Sequence, residues 1–185
     1  GFLFGTVGSP LSTPKKPGGT PGGILRLREL NLDALELAWV QSVRVSDETC
    51  AVIRSTAANA RLSLSVHAPY YINLNSQTDE LMAKSDERLL AAARKGFLAG
   101  ARDIIFHPGS YHSQPREQVC IRGRDKLLEI TAILRDEGVD VNLRPETMGK
   151  SAMCGTLEDV LEWSHDVPGV LPCIDWAHLH ARTGD

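Results

Sequence analysis

Short apolar runs alternate with longer segments of helical period along this chain. The apolar or β-branched runs are residues 2–7, 34–40, 62–67, 103–107, 139–144 and 170–175. Between them, residues 46–59, 78–101, 116–137 and 156–166 place apolar side chains at helical spacing among charged ones. Such alternation is typical of βαβ units, in which helices cover a parallel sheet. The pattern therefore predicts an α/β fold with six parallel strands.

The helical segments carry start and stop signals at their ends. The S/T-x-x-D/E pattern that starts many helices occurs at residues 76–79 and 156–159. Gly100 and Gly138 lie where two of the helices should end. Residues 15–23, rich in glycine and proline, are too few for a domain linker, and we expect them to form a flexible loop after the first strand.

Strand spacing and chain length narrow the choice between two parallel α/β folds. Six strands spaced about 30–40 residues apart fit a doubly wound sheet or a (β/α)8 TIM barrel. The first predicted strand is not followed by G-x-G-x-x-G, which argues against a dinucleotide-binding sheet. A barrel usually needs about 250 residues. We therefore expect residues 1–185 to form a single partial TIM-barrel domain of about six βα units, truncated at its C-terminal end.

Composition excludes several classes of protein. With 42% apolar and 23% charged residues, the chain is neither disordered nor fibrous. A net charge of −3 excludes a polycationic nucleic-acid coat but leaves room for a local basic groove. No apolar run reaches the roughly 18–20 residues of a membrane span, so no membrane partner is expected.

The cysteines indicate a reducing compartment. Cys50, Cys120, Cys154 and Cys173 form no C-x-x-C pair, and we expect free thiols and a cytoplasmic location. Cys50 and Cys173 have apolar neighbours in sequence, so we expect both to pack as small hydrophobes.

Imidazole or carboxylate side chains stand at the ends of four successive predicted strands. His67 and His107 close the third and fourth, Glu146 follows the fifth, and Asp175 closes the sixth. Because the carboxyl ends of parallel strands share one face, these side chains should point into one pocket. Each residue alone more often has a structural role, as a hydrogen-bonded histidine or a capping carboxylate. Their shared position favours a metal site for zinc or a similar ion such as manganese.

Other candidates have two open interpretations each. His178 could be a further ligand or a surface residue. Tyr70 and Tyr71 could stack on nucleic-acid bases at the pocket mouth or pack against a neighbouring loop. Arg44 could contact phosphate or be solvated. For Trp176, core packing is favoured over a stacking role.

Four segments, in order and at compatible spacing, resemble the endonuclease IV family of apurinic/apyrimidinic endonucleases within the xylose-isomerase-like barrels. They are residues 67–74 (HAPYYINL), 106–110 (FHPGS), 145–147 with 155–159 (PET and GTLED) and 173–178 (CIDWAH). Residues 5–13 depart from the His-containing start that is common in bacterial members. In this segment the chain is similar to an archaeal-type branch.

The resemblance implies a barrel with up to three zinc ions that cleaves double-stranded DNA 5′ to abasic sites during base excision repair. By match, His67, His107 and Glu146 hold one zinc ion. Glu146, the catalytic carboxylate, is shared with a second ion that also uses Asp175, and His178 serves a third. The remaining ligands belong to two further strands, so we expect residues 1–185 to be inactive alone and the full-length protein to be a monomer.

Two further functions remain open on the same barrel. One is a sugar isomerase or epimerase that binds manganese, magnesium or cobalt, and the other is a non-catalytic metal- or DNA-binding relative.

For the DNA-cleaving function, Tyr70 matches the position at which the family inserts an aromatic side chain. Tyr71 and Arg44 are the other expected DNA contacts.

Overall fold

The computed structural model describes residues 1–184, which form a parallel sheet of five strands with six helices. The strands are β1 (Gly5–Val7), β2 (Ala34–Ala38), β3 (Ser63–His67), β4 (Asp103–Phe106) and β5 (Asn142–Pro145), side by side in chain order. The helices are α1 (Gly19–Glu29), α2 (Asp47–Ala60), α3 (Asp79–Ala99), α4 (Arg116–Asp136), α5 (Leu157–Asp166) and α6 (Trp176–Thr183). Parallel strands in chain order with intervening helices are the architecture of a partial TIM barrel. The predicted fold class is confirmed.

Capping side chains set the helix boundaries. Thr156 starts α5 through a reciprocal capping box with Asp159, as its sequence pattern predicted. Helix α3 is capped by Thr78, two residues after the predicted Ser76, and ends at Gly100 with a φ of 89°. The four predicted helices are confirmed to within two residues at each end. Within residues 1–184, no helix is both long and apolar enough to cross a lipid bilayer.

The glycine-rich stretch at residues 15–23 is not a flexible loop along its whole length. Helix α1 begins inside it at Gly19, and both Gly22 and Gly23 are buried. A Cβ atom at Gly23 would overlap the hydroxyl oxygen of Ser9. The loop prediction was wrong from Gly19 onward, because these glycines allow a helix to pack closely on the chain that follows β1.

The sixth predicted strand, residues 170–175, runs beside β5 without forming a continuous strand. In the described chain it pairs with β5 through isolated parallel bridges at Val170 and Cys173. Pro172 lies between them and has no N–H to donate. Its carbonyl oxygen instead accepts a hydrogen bond from Arg144 Nη1 at 2.9 Å. The prediction of a regular strand was therefore wrong, although the run still brings Asp175 to the carboxyl edge of the sheet.

The hydrophobic core lies between the sheet and the helices. In β2, Leu35 and Leu37 are buried in this layer, and Glu36 between them points to the opposite face. Register places Glu36 opposite Ser65 of β3, whose hydroxyl donates to the Glu36 carboxylate at 3.4 Å. On β2 and β3 the face turned away from the core therefore carries polar side chains, and at the carboxyl edge it carries His67, two residues beyond Ser65.

We expect Gly123→Ala to destabilise the protein, although alanine favours a helix over glycine by about 1 kcal/mol. A Cβ atom at Gly123 of α4 would lie 2.8 Å from Cζ2 of Trp163. That ring is fully buried, and its Nε1 donates to the Cys120 carbonyl oxygen at 2.9 Å. Because the ring cannot move without losing this bond, urea unfolding should show a net loss of about 1–3 kcal/mol.

The matched control is Arg124→Ala, at the neighbouring position of α4, where the side chain is 38% exposed. It should change the free energy of unfolding by less than about 0.5 kcal/mol. Equal stability of the Gly123→Ala variant and the wild type would show that the α4–α5 contact is loosely packed.

Candidate metal centre

Five ionisable side chains meet at the carboxyl edge of the sheet. His67 ends β3, His107 directly follows β4, and Glu146 directly follows β5. Asp175 caps the N-terminus of α6, and His178 lies in its first turn. All five line one cavity of ≈ 430 Å³. The structure thus brings together the five residues that the sequence suggested as metal ligands.

The Glu146 carboxylate lies at the centre of this group. Its Oε2 is 3.1 Å from Nε2 of His67 and 3.2 Å from Nε2 of His107. Its Oε1 is 3.3 Å from Nδ1 of His178, which in turn is 3.5 Å from Oδ2 of Asp175. Two sets of three potential ligands result, each with ligand atoms within 4.8 Å of one another, and Glu146 belongs to both.

The hydrogen bonds of His67 determine which of its ring nitrogens is free to bind a metal ion. Its Nδ1 lies 2.8 Å from the carbonyl oxygen of Ala68, which can only accept, so Nδ1 carries a proton. In the neutral ring, Nε2 then directs a lone pair at the Glu146 carboxylate, and the negative charge of the carboxylate repels it. A cation shared by the two groups, or a second proton on the ring, removes this repulsion. Metal-bound histidines usually donate their other nitrogen in this way. Two imidazoles and a carboxylate form a donor set that suits zinc or manganese.

Without a metal ion, protons balance the charge of this group. Burial alone would raise the pKa of Glu146, but hydrogen bonds with His107 and His67 outweigh it and lower that pKa well below its usual range. Burial alone would lower the pKa of His67, but its bonds with Glu146 and the Ala68 carbonyl raise it above 6.5. Each partner therefore stabilises the charged form of the other.

Tyr70 forms one wall of the site. Its ring stacks on that of His107, with centroids 4.9 Å apart and planes at 17°, and meets His67 edge-on at 5.3 Å. Its side chain is still 47% exposed at the cavity mouth. Tyr70 is therefore able to restrain both imidazole rings and to contact a molecule that enters the cavity.

Gly109 shapes the loop that follows His107. It has a φ of 118°, and a Cβ atom there would overlap the side chain of Asn73. Asn73 Oδ1 accepts the N–H of Ser110 at 3.3 Å, which joins the loop after β3 to the loop after β4. The two loops that follow the candidate histidine ligands are thus held against each other.

Sequence reasoning missed Thr147, which positions two of the candidate ligands. Thr147 is fully buried, and its hydroxyl oxygen accepts the N–H of Asp175 at 2.8 Å. Its carbonyl oxygen lies 2.9 Å from Nδ1 of His178. Its position next to Glu146 in the Pro-Glu-Thr segment is the feature of the sequence that could have identified it.

Glu36 was missed as well, although it lines the same cavity. Burial raises the pKa of its carboxyl, against the lowering effect of nearby His67. The signal that could have found it is a charged residue in the middle of the apolar run at residues 34–40.

Other candidate residues lie elsewhere. Tyr71 is 60% exposed, with the Arg88 guanidinium 5.8 Å from its ring centroid, and Arg44 is exposed in the loop between β2 and α2. Neither belongs to the cavity lining, and their contacts with DNA stay predictions. Trp176 is 78% exposed, so the expected core packing was wrong, because the first turn of α6 lies outside the core.

The four cysteine thiols are free within the described chain, as predicted. Cys50 is buried in the core, but Cys173 is half-buried and lines the cavity, so the prediction that it packs as a small hydrophobe was wrong. It lies on the run beside β5, whose inner face borders the cavity rather than the core. Burial raises the pKa of the Cys173 thiol to about 12.

Residues 24–185 match the family of xylose isomerase-like TIM barrels. The chain belongs to this family. An uncharacterized protein of Methanocaldococcus jannaschii is 32% identical over 98% of the chain, which spans 64% of that protein's length. A probable endonuclease 4 of Streptomyces avermitilis is 26% identical over 98% of the chain and 68% of its own length.

Two solved structures resemble the chain in fold. The crystal structure of endonuclease IV from Thermus thermophilus is 25% identical, with a TM-score of 0.71 over 95% of this chain and 64% of that one. A D-psicose 3-epimerase crystallised in the presence of D-fructose has a TM-score of 0.73 at 19% identity, over 91% of this chain and 62% of that one. At that identity the epimerase supports the fold alone.

We expect the metal-free protein to lose stability as pH rises through the raised pKa of His67. The stabilisation from a charged His67 is fully present below 6.5, the ordinary pKa of the ring, and disappears above the raised value. Glu146 acts in the opposite direction: its contribution is present above an ordinary pKa of 4.5 and is lost as pH falls through its lowered value. Urea unfolding in the presence of a chelator, repeated at pH values that span both pKa changes, measures how the free energy of unfolding depends on pH.

Zinc should restore the stability that the metal-free protein loses at high pH, because imidazoles bind metal only when deprotonated. At free zinc about 100 times the dissociation constant, we expect a gain of about 3 kcal/mol. The control is Glu146→Gln, which removes the shared negative charge and should flatten both the pH trend and the zinc effect. The same pH trend in that variant would refute the assigned ion pair.

Proposed function

We propose that the protein is a zinc-dependent hydrolase that cleaves the DNA phosphodiester 5′ to an abasic site. The observation that carries the proposal is the convergence of two imidazole nitrogens, from His67 and His107, on one carboxylate oxygen of Glu146. The similarity to a probable endonuclease 4 and to endonuclease IV supports it. The chain spans 64% of its Methanocaldococcus relative, and the activity of the whole protein is part of the proposal.

The two ligand sets define the roles of the chain's own residues. His67, His107 and Glu146 would hold one zinc ion. Glu146, Asp175 and His178 lie close enough together to hold a further one, in place of the separate third ion that the resemblance implies for His178. Bound zinc supplies Lewis acidity, which neutralises phosphate charge and lowers the pKa of water. Glu146 joins the two sets. The backbone carbonyls beside His67 and His178 orient the two rings.

Selection of an abasic site would depend on the cavity and its mouth. An unpaired nucleotide is the cheapest to turn out of a duplex, and a cavity of ≈ 430 Å³ has room for a sugar and a phosphate. Tyr70 is half-exposed at the mouth and would contact DNA bases there. Tyr71 and Arg44, both exposed, would contact DNA outside the cavity.

A duplex oligonucleotide with one abasic analogue tests this function. We expect the zinc-loaded full-length protein to nick it on the 5′ side without added magnesium. Glu146→Gln should lower the rate by at least about 100-fold, because loss of even an indirect partner of a metal costs about 10- to 100-fold. Glu158→Gln, on the exposed surface of α5, is the matched control and should retain wild-type activity. No nicking by the zinc-loaded full-length protein would refute the proposal.

A metal-dependent sugar epimerase or isomerase is the second candidate, and Glu36 is the observation that favours it. An extra carboxylate in the cavity repels a phosphodiester anion but accepts hydrogen bonds from sugar hydroxyls.

The substitution Glu36→Gln separates the two candidates. If DNA is the substrate, removing this charge should lower the KM for the abasic duplex by up to about fivefold, which corresponds to about 1 kcal/mol. If a sugar is the substrate, manganese- or cobalt-loaded wild type should interconvert ketohexoses in a chromatographic assay, and the variant should lose that turnover. Ketohexose turnover without DNA nicking would replace the first candidate with the second.

A further inference from the structure

Helix α6 carries His178 to the candidate metal centre without an apolar anchor. None of residues 176–183 is buried. The run that leads into the helix pairs with β5 through isolated bridges. By contrast, His67 and Glu146 are 8% and 6% exposed at the ends of strands that pack on the core. Apart from Ile174, which packs against the core just before the helix, polar contacts are therefore the main support for the position of His178.

Arg182 supplies the largest group of such contacts. It lies four residues after His178, so both side chains project from the same face of α6. Its guanidinium donates to four backbone carbonyl oxygens of the loop after β5, defined here as residues 148–153. The acceptors of Nη1 are Met148 at 3.0 Å, Lys150 at 3.1 Å and Met153 at 3.1 Å, and that of Nη2 is Ser151 at 3.4 Å.

The same loop also contacts His178 and the rest of the site. The loop lies against the imidazole, since a Cβ atom built at Gly149 would be in van der Waals contact, 3.4 Å from Cδ2 of His178. On its other side, the loop forms a bridge between Met153 and Ser110, in the segment that follows His107. Arg182 therefore joins α6 to a loop that is already fixed to the strand scaffold.

We propose that Arg182 is a positioning residue that docks α6 on this loop and thereby holds His178 in its ligand set with Glu146 and Asp175. The inference rests on the proposed role of His178 as a ligand. It concerns one set alone, because His67 and His107 are placed by β3 and β4. A planar guanidinium serves several carbonyls at once, which a lysine ammonium does in a less ordered way.

Zinc binding to purified Arg182 variants tests the link to the ligand set. We expect Arg182→Ala to weaken the zinc ion bound through His178 by about 10- to 100-fold and to leave the other zinc unchanged. Competition with a chromophoric chelator resolves the two affinities. Arg182→Lys should show a smaller loss. The variant Arg124→Ala, which removes a half-buried arginine of α4 outside the cavity lining, should bind zinc like the wild type.

Hydrogen exchange of the metal-free protein tests the docking without any metal. The amide of Leu179 donates to Asp175 and that of Gly184 to His180, and Arg182→Ala should speed the exchange of both by at least about 10-fold. Unchanged exchange would overturn the docking. Faster exchange with unaltered zinc affinities would overturn the link to His178. A wild type that binds no zinc would overturn the proposed function, and exchange would still decide whether Arg182 docks the helix.

Discussion

Two imidazole nitrogens and a carboxylate oxygen share a small volume at the edge of this sheet, where the lone pair of a neutral His67 would face the negative charge of Glu146. The Nε2 atoms of His67 and His107 face the same oxygen of Glu146, and the proton of His67 is held on its other nitrogen by a backbone carbonyl. Positive charge must enter this space, as protons or as a metal ion, for the arrangement to be stable. Tyr70 stacked on His107 and Asn73 between the two loops preserve that geometry. The fold therefore holds these groups in an arrangement that positive charge, from protons or from a metal ion, stabilises.

The two ligand sets differ in how the fold supports them. The set on β3, β4 and β5 extends strands whose opposite face packs on the hydrophobic core, so its geometry follows from the same burial that stabilises the sheet. The set that includes His178 lies on a short helix that buries none of residues 176–183 and depends on polar contacts with Thr147 and Arg182. Segments held by polar contacts usually have a lower free energy of local opening than strands that pack in the core. Within the described residues, the second set is therefore supported mainly by polar contacts.

A shared barrel leaves the substrate undecided, because chemistry is determined by the groups that line the site. The same architecture occurs in an endonuclease IV and in a D-psicose 3-epimerase. In this chain the paired imidazoles and Glu146 are suited to a metal ion, which a hydrolase and an epimerase could both use, whereas the carboxylate of Glu36 introduces a negative charge that a phosphodiester would have to tolerate. The candidate functions therefore differ in whether the substrate of the metal site can lie beside the negative charge of Glu36.

The sequence by itself determined the strand–helix alternation, the helix caps and the placing of His67, His107 and Glu146 at strand ends. These depend on local periodicity and on neighbours a few residues apart, as the capping box of Thr156 shows. Only the tertiary structure decided that Gly19 starts a helix, that the run before Asp175 is no regular strand, and that Thr147, Glu36 and Arg182 belong to the site. Each of these depends on contacts between segments distant in sequence: close packing against Ser9, a hydrogen bond from Arg144, or carbonyls of another loop. Such contacts leave no periodic signal along the chain, because they arise only once the sheet has brought the segments together.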